Sequence, residues 1–187
     1  MRPNRTTVSF VSFLIVVFSI GGAQIAMAET APEIEAKVNV ALKTLYASSP
    51  AAKELAGVSK GILVFPEVVK AGLVVGGQYG VGALREKEKT VGYYKTIAGS
   101  FGLQAGAQTF GYALIFITQE ALDYLKKTDG WEIGTGPSVV VADKGLAGSL
   151  TTTTAKEDIY AFFFDQKGLM VGLGLQGSKI SPYTPEK

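Results

Sequence analysis

From Lys60 onward the chain is built of short β-branched and aromatic runs punctuated by glycine, and no other feature constrains its fold as much. The stretch Gly72-Leu73-Val74-Val75-Gly76-Gly77-Gln78 recurs as Gly102-Leu103-Gln104-Ala105-Gly106-Ala107-Gln108, and a looser copy begins at Gly168-Leu169-Met170-Val171-Gly172. β-branched and aromatic side chains suit a pleated surface. Glycine inside a strand weakens it unless the backbone must bend or approach another chain segment closely. Glycines spaced by two or four on one strand face therefore predict a strongly curved, coiled or barrel-like sheet, mostly antiparallel. The copies start 30 and then 66 residues apart, too irregularly for a solenoid.

Strands are expected near 61–65, 72–84, 90–97, 101–117, 131–142, 158–164 and 169–179. Arg85 to Lys89 reads as a charged turn, and Asp165-Gln166-Lys167-Gly168 as a second one with glycine set for a positive φ. Before the sheet come helices. Thr30-Ala31-Pro32-Glu33 has the form of a capping box, and Ile34, Val38, Leu42 and Leu45 then trace one apolar stripe to a helix end near Ser48. Ser49-Pro50 starts a second short helix, which Gly57 is expected to close. Thr118 caps a third over residues 119–127. The fold class is thus α+β, with N-terminal helices (31–57) packed on a glycine-rich sheet (60–180).

Residues 1–28 have the layout of a secretory signal: Arg2 and Arg5, an apolar run from Val8 to Ile20, then Ala26-Met27-Ala28 before Glu29. Cleavage is expected after Ala28, giving a periplasmic or secreted single domain of residues 29–187. A retained anchor is the alternative, since the apolar stretch approaches the roughly 20 residues of a membrane helix. The whole chain carries 18 Lys and Arg against 16 Asp and Glu, and without Arg2 and Arg5 the remainder is neutral. A strongly basic nucleic-acid binder is thereby disfavoured, because neutralising phosphates takes many cations.

There is no histidine and no cysteine. That excludes Ser-His-Asp and Cys-His catalysis, metal sites of the usual His and Cys type, and disulfides. Gly76-Gly77-Gln78-Tyr79-Gly80-Val81-Gly82 lacks the Lys and Ser or Thr of a phosphate loop, and Arg85 stands where a dinucleotide fingerprint needs its third glycine. Ala98-Gly99-Ser100-Phe101-Gly102 approaches a nucleophile elbow, but Ser100 has no partner base. A carboxylate-dependent hydrolase would need two of Glu67, Asp143, Glu157 and Asp158 to converge. Glu86 and Glu88 read as solvated charge in a turn. No enzyme activity and no cofactor is expected.

Lys60, Lys70 and Lys95 flank apolar segments, and Lys37 and Lys43 lie on the first helix. Such lysines cover a core edge with their alkyl stems. Several of them, converging beside exposed apolar side chains, would hold an anionic lipid headgroup, each contributing about 1 kcal/mol near an anionic bilayer.

Residues 60–180 resemble the SYLF domain family, in its bacterial, exported branch. The similarity is carried by KGILVFPEVVKAG (60–72), TVGYYKTIAGSFGLQAGAQ (90–108), GWEIGTGPSVVVAD (130–143), SLTTTTAKEDIYAFFFDQKGL (149–169) and VGLGLQGSKI (171–180), in family order. The resemblance implies a non-catalytic module that binds phosphoinositides and other anionic membranes, with actin as a partner of eukaryotic members. In those members an amphipathic N-terminal helix and basic surface residues contact the membrane. By analogy the helix over 31–48, with Lys37 and Lys43, takes that part, and Lys70 matches the family's Lys-Ala-Gly motif. Gln176 replaces a usually acidic residue. In a periplasm the expected ligand is an anionic phospholipid rather than actin or a phosphoinositide. The alternative is a structural domain that meets an envelope protein and has no lipid affinity.

Overall fold

The computed structural model describes residues 29–142, 144–168, 175 and 177–187. The expected signal and its Ala28 cleavage point, Asp143, Gln176 and most of the strand expected at 169–179 lie outside them.

Helix α1 (Ala31–Ser48) starts where the capping box predicts: the Thr30 amide and hydroxyl both donate to the Glu33 carboxylate, at 2.9 and 2.8 Å. These bonds hold the Glu33 carboxyl below its ordinary pKa. The buried stripe is Ile34, Val38, Ala41 and Leu45, with Leu42 only half-buried at its flank. Burying each large aliphatic side chain contributes about 1.5–3 kcal/mol. Helix α2 (Pro50–Val58) is capped by Ser49, whose hydroxyl accepts from the Ala52 amide. It runs past Gly57, which the sequence reading takes as its end; Ser59 closes it instead, with its amide and hydroxyl bonded to the Ala56 carbonyl.

The four strands expected between 61 and 117 are two. Strand β1 (Gly61–Glu86) and strand β2 (Lys89–Phe116) form one long antiparallel ribbon, joined by a tight turn at Lys87 and Glu88, both at positive φ. The glycines bend these strands, as their spacing predicts. A side-chain carbon on Gly72 would overlap the Gly76 backbone, so β1 doubles back sharply over residues 72–76. Its two arms then meet: a Cβ on Gly82 would overlap the Val64 carbonyl, one on Gly80 would lie 2.8 Å from the Glu67 carbonyl oxygen, and one on Gly61 3.3 Å from that of Arg85. On β2, the outer strand at the bend, Phe101 pairs with Val75 and Ala105 with Leu73, so residues 102–104 take up the longer path.

Helix α3 (Gln119–Lys127) follows, capped by Thr118 as predicted. The strand expected over 131–142 is broken by glycines at positive φ, Gly134 and Gly136, into β3 (Trp131–Glu132) and β4 (Val139–Val141). A short α4 (Lys144–Ala147), which periodicity did not reveal, precedes β5 (Ile159–Gly168). The turn expected at 165–168 is strand: Lys167 and Gly168 pair with Thr109 and Gln108, and Asp165, at φ 50°, absorbs a register shift. Strand β6 (Lys179–Pro182) completes a six-stranded sheet ordered β3-β6-β2-β5-β4, with β1 paired to β2. Only β4 and β5 run parallel among these strands.

This strongly curled, mostly antiparallel sheet has a core on each face. One face packs Ile62, Val64, Val81, Ala83, Ile115 and Phe162 under α1 and α2; the other packs Phe65, Tyr112, Phe116, Trp131 and Ile180 with α3. Across the second core the buried Tyr112 hydroxyl donates to Thr96 Oγ1 at 2.9 Å, tying the two arms of β2 together. Burial pushes the Tyr112 hydroxyl well above the usual tyrosine pKa.

Candidate functional site

Helices α1 and α2, the start of β1 and the β1–β2 turn enclose a groove of about 840 Å³. Its rim carries four cations, Lys43, Lys53, Arg85 and Lys87, against one carboxylate, Glu88; Leu42, Tyr46 and Ile62 supply an apolar lining. Among the described residues, none of Lys43, Lys53 and Lys87 forms an ion pair. Carboxylates that could neutralise them are held elsewhere. Glu35 accepts from the Tyr93 hydroxyl at 2.8 Å, Glu54 from the Thr152 amide at 3.2 Å, and Glu86 pairs with Lys126 at 2.7 Å. Arg85 Nη1 donates to the Glu88 carbonyl at 3.3 Å, while its buried Nε has no protein partner. Burial raises the Tyr46 pKa, helped by the negative charge of Glu88 and opposed by Arg85, so this groove phenol stays neutral. The groove thus presents an excess of three positive charges over an apolar floor, which suits an anionic, amphiphilic ligand.

Of the five lysines singled out from the sequence, the groove includes Lys43. Lys60 is exposed between Ser59 and Gly61, which both line it. Lys37 lies on the other flank of α1, paired with Glu29 at 3.1 Å, in a shallower 340 Å³ hollow with Glu67 and Asp165. Lys70 on β1 pairs with Gln108, and Lys95 on β2 with Val81 and Ser181, both half-buried and remote from the groove along the strands. Sequence reasoning missed Lys53, Arg85 and Lys87. A charged turn gives no sign of what packs beside it, and here α2 does.

Among the described residues, the hydrolase candidates Glu67 and Asp158 do not converge as an acid–base pair. Glu67 is exposed on β1 beside Lys37 and Asp165. Asp158 is a structural clamp: its carboxylate accepts from Thr118 Oγ1 at 2.9 Å, the Ser138 amide at 3.0 Å and the Ser138 hydroxyl at 3.1 Å. The Ser138 amide bond, chiefly, holds its pKa low. Among the described residues no group of carboxylates is placed to hold a metal ion.

Helices clasped on a curled glycine-rich sheet, with a cationic groove between them, make an α+β domain with a candidate binding groove. Residues 97–186 match the model of the family described as Ysc84, Las17-binding protein actin regulator. Over that stretch the chain is similar to this family, which is consistent with the resemblance to SYLF domains read from the sequence. A comparison with curated proteins returned no match.

Proposed function

We propose that this protein is a non-catalytic module that binds anionic phospholipid peripherally, in the periplasm or outside the cell, and that the groove between α1, α2 and the β1–β2 turn seats the headgroup. One observation carries the reading: four cations share a groove with one carboxylate, while the neighbouring Glu35, Glu54 and Glu86 are bonded away from it. Lysine binds phosphate as a point charge and arginine as a bidentate fork, and Leu42, Tyr46 and Ile62 give the first acyl carbons an apolar surface.

The test is co-sedimentation of the full chain with phosphatidylcholine vesicles with and without phosphatidylglycerol, at low and high salt. Each lysine near an anionic surface contributes about 1 kcal/mol, so Lys43→Glu, Lys53→Glu and Lys87→Glu together weaken anionic-vesicle binding roughly a hundredfold or more. Whatever residues 1–28 contribute is common to both proteins and cancels in the comparison. Equal binding by the wild type and the triple variant would remove the groove as the site. No preference for anionic vesicles at all would favour the protein-partner alternative.

A further inference from the structure

The doubled-back ribbon ends in a bend that carries no charge. Residues 71–84 of β1 and 96–119, which include the second arm of β2, contain no Asp, Glu, Lys or Arg, nor do residues 168–178 that follow β5. Five of the six charged residues bounding these stretches are cations: Lys70, Arg85, Lys95, Lys167 and Lys179, with Glu120 the exception. The ladder brings four of them to two levels flanking the bend. On one arm Lys70 stands opposite Gln108, one step from the Val69–Thr109–Lys167 rung; on the other Lys179 stands opposite Ile97, and Lys95 two residues further back. Acidic residues come later, Glu67 behind Lys70 and Asp165 behind Lys167, to which it is paired.

Val75, opposite Phe101, is 58% exposed, the cross-strand neighbours Tyr79 and Ile97 are also exposed, and so is Val69 on the Lys167 rung. A contiguous apolar surface rimmed by cations and aromatic residues marks contact with a membrane rather than with water. The ribbon can enter such a medium because β1 and β2 satisfy much of each other's backbone. The looser path over 102–104 limits it to the headgroup–acyl boundary. From Lys70 to the centre of the bend at Val74 is roughly 13 Å of strand, enough for the 5–10 Å that interfacial elements penetrate.

We propose that the bend of the β1–β2 ribbon is a bilayer-inserting tip, with Lys70 and Lys95 holding the headgroup level. This contact is separate from the groove: groove residues Gly61, Ile62, Arg85 and Lys87 sit at the ends of the ribbon arms, and the bend is at their middle.

The absence of cysteine makes the test specific. In the full chain, Val75→Cys carries an environment-sensitive nitrobenzoxadiazole label, and Val141→Cys, exposed on β4, is the control. With phosphatidylcholine–phosphatidylglycerol vesicles, the label at 75 shifts to the blue, brightens and is quenched by doxyl-labelled lipid, while the label at 141 is not quenched by acyl-chain doxyl groups. Added to the groove triple variant Lys43→Glu, Lys53→Glu, Lys87→Glu, unlabelled Val75→Asp lowers the residual vesicle affinity about tenfold, since a carboxylate must then enter the boundary. If the protein sediments with anionic vesicles yet the label at 75 stays water-like, the tip is overturned and the groove reading stands. Absence of sedimentation overturns both. A blue shift at 75 that needs no vesicle and grows with protein concentration assigns the tip to a second copy of the chain, and overturns the membrane contact.

Discussion

Gly82 and Gly99 both sit in the ribbon, yet they do opposite things. A Cβ on Gly82 would overlap the Val64 carbonyl where the arms of β1 meet, and backbone cannot yield as a flexible side chain can. Gly82→Ala is expected to lower stability by about 1–3 kcal/mol or more. Around Gly99 nothing lies within 4 Å, so Gly99→Ala changes stability by no more than about 0.5 kcal/mol. Thermal unfolding of the two variants side by side checks the closure of the curl. The sequence shows that glycines are many; which ones are obligatory depends on what crosses them, and that is a tertiary fact. Asp158 makes the same point for charge. In the sequence it is only a hydrolase candidate, but its carboxylate joins the α3 cap to the entry of β4 through Thr118 and Ser138. Its folded-state pKa is depressed, so its contribution is fully present above the unfolded carboxylate pKa of about 4 and is lost as pH falls through the lower folded value. Asp158→Asn should lower the melting temperature at neutral pH and flatten the acid limb of stability below about pH 4; an unchanged acid limb would show that the clamp contributes nothing.

At the scale of elements, the helices were legible because their signals are local. Thr30 with Glu33, Ser49 with Pro50, and Thr118 each satisfy amide or side-chain groups within one turn of the start they announce. The strands were legible in kind but not in extent. Residues 66–71 and 98–100 read as gaps between strands, whereas pairing with a partner carries β1 and β2 through them. The groove was legible only at Lys43. Lys53 belongs to a nine-residue helix and Arg85 and Lys87 to a turn, and only the packing of α1 and α2 over the ribbon ends brings them together. The two flanks of α1 therefore differ: Lys37 is paired to Glu29 and shares its hollow with Glu67 and Asp165, while Lys43 faces unpaired cations. Lys37→Glu should leave anionic-vesicle binding within about twofold, the effect expected of a surface ion pair, and Lys43→Glu should lower it several times more. Equal losses would mean that the whole helix face, as in the eukaryotic analogy, contacts the lipid.

For the molecule as a whole, the geometry of the ribbon decides how many membranes it can meet. Folding β1 at residues 72–76 puts its two ends, and with them the cationic groove, at one extremity, and the uncharged bend at the other. A flat bilayer that takes the bend end-on lies the length of a ribbon arm away from the groove. A protein with a headgroup seat at one end and an inserting tip at the other is bivalent, and bivalent binding to two surfaces joins them. The full chain should therefore raise the turbidity of anionic vesicles over a range of protein concentration and lose the effect at excess, when each vesicle is saturated from one side. Val75→Asp and the groove triple variant should each abolish the turbidity, while the groove variant still sediments through the tip and the tip variant through the groove. If either single-ended variant still joins vesicles, the two contacts are not at opposite ends in solution, and the doubled ribbon must open when it meets lipid.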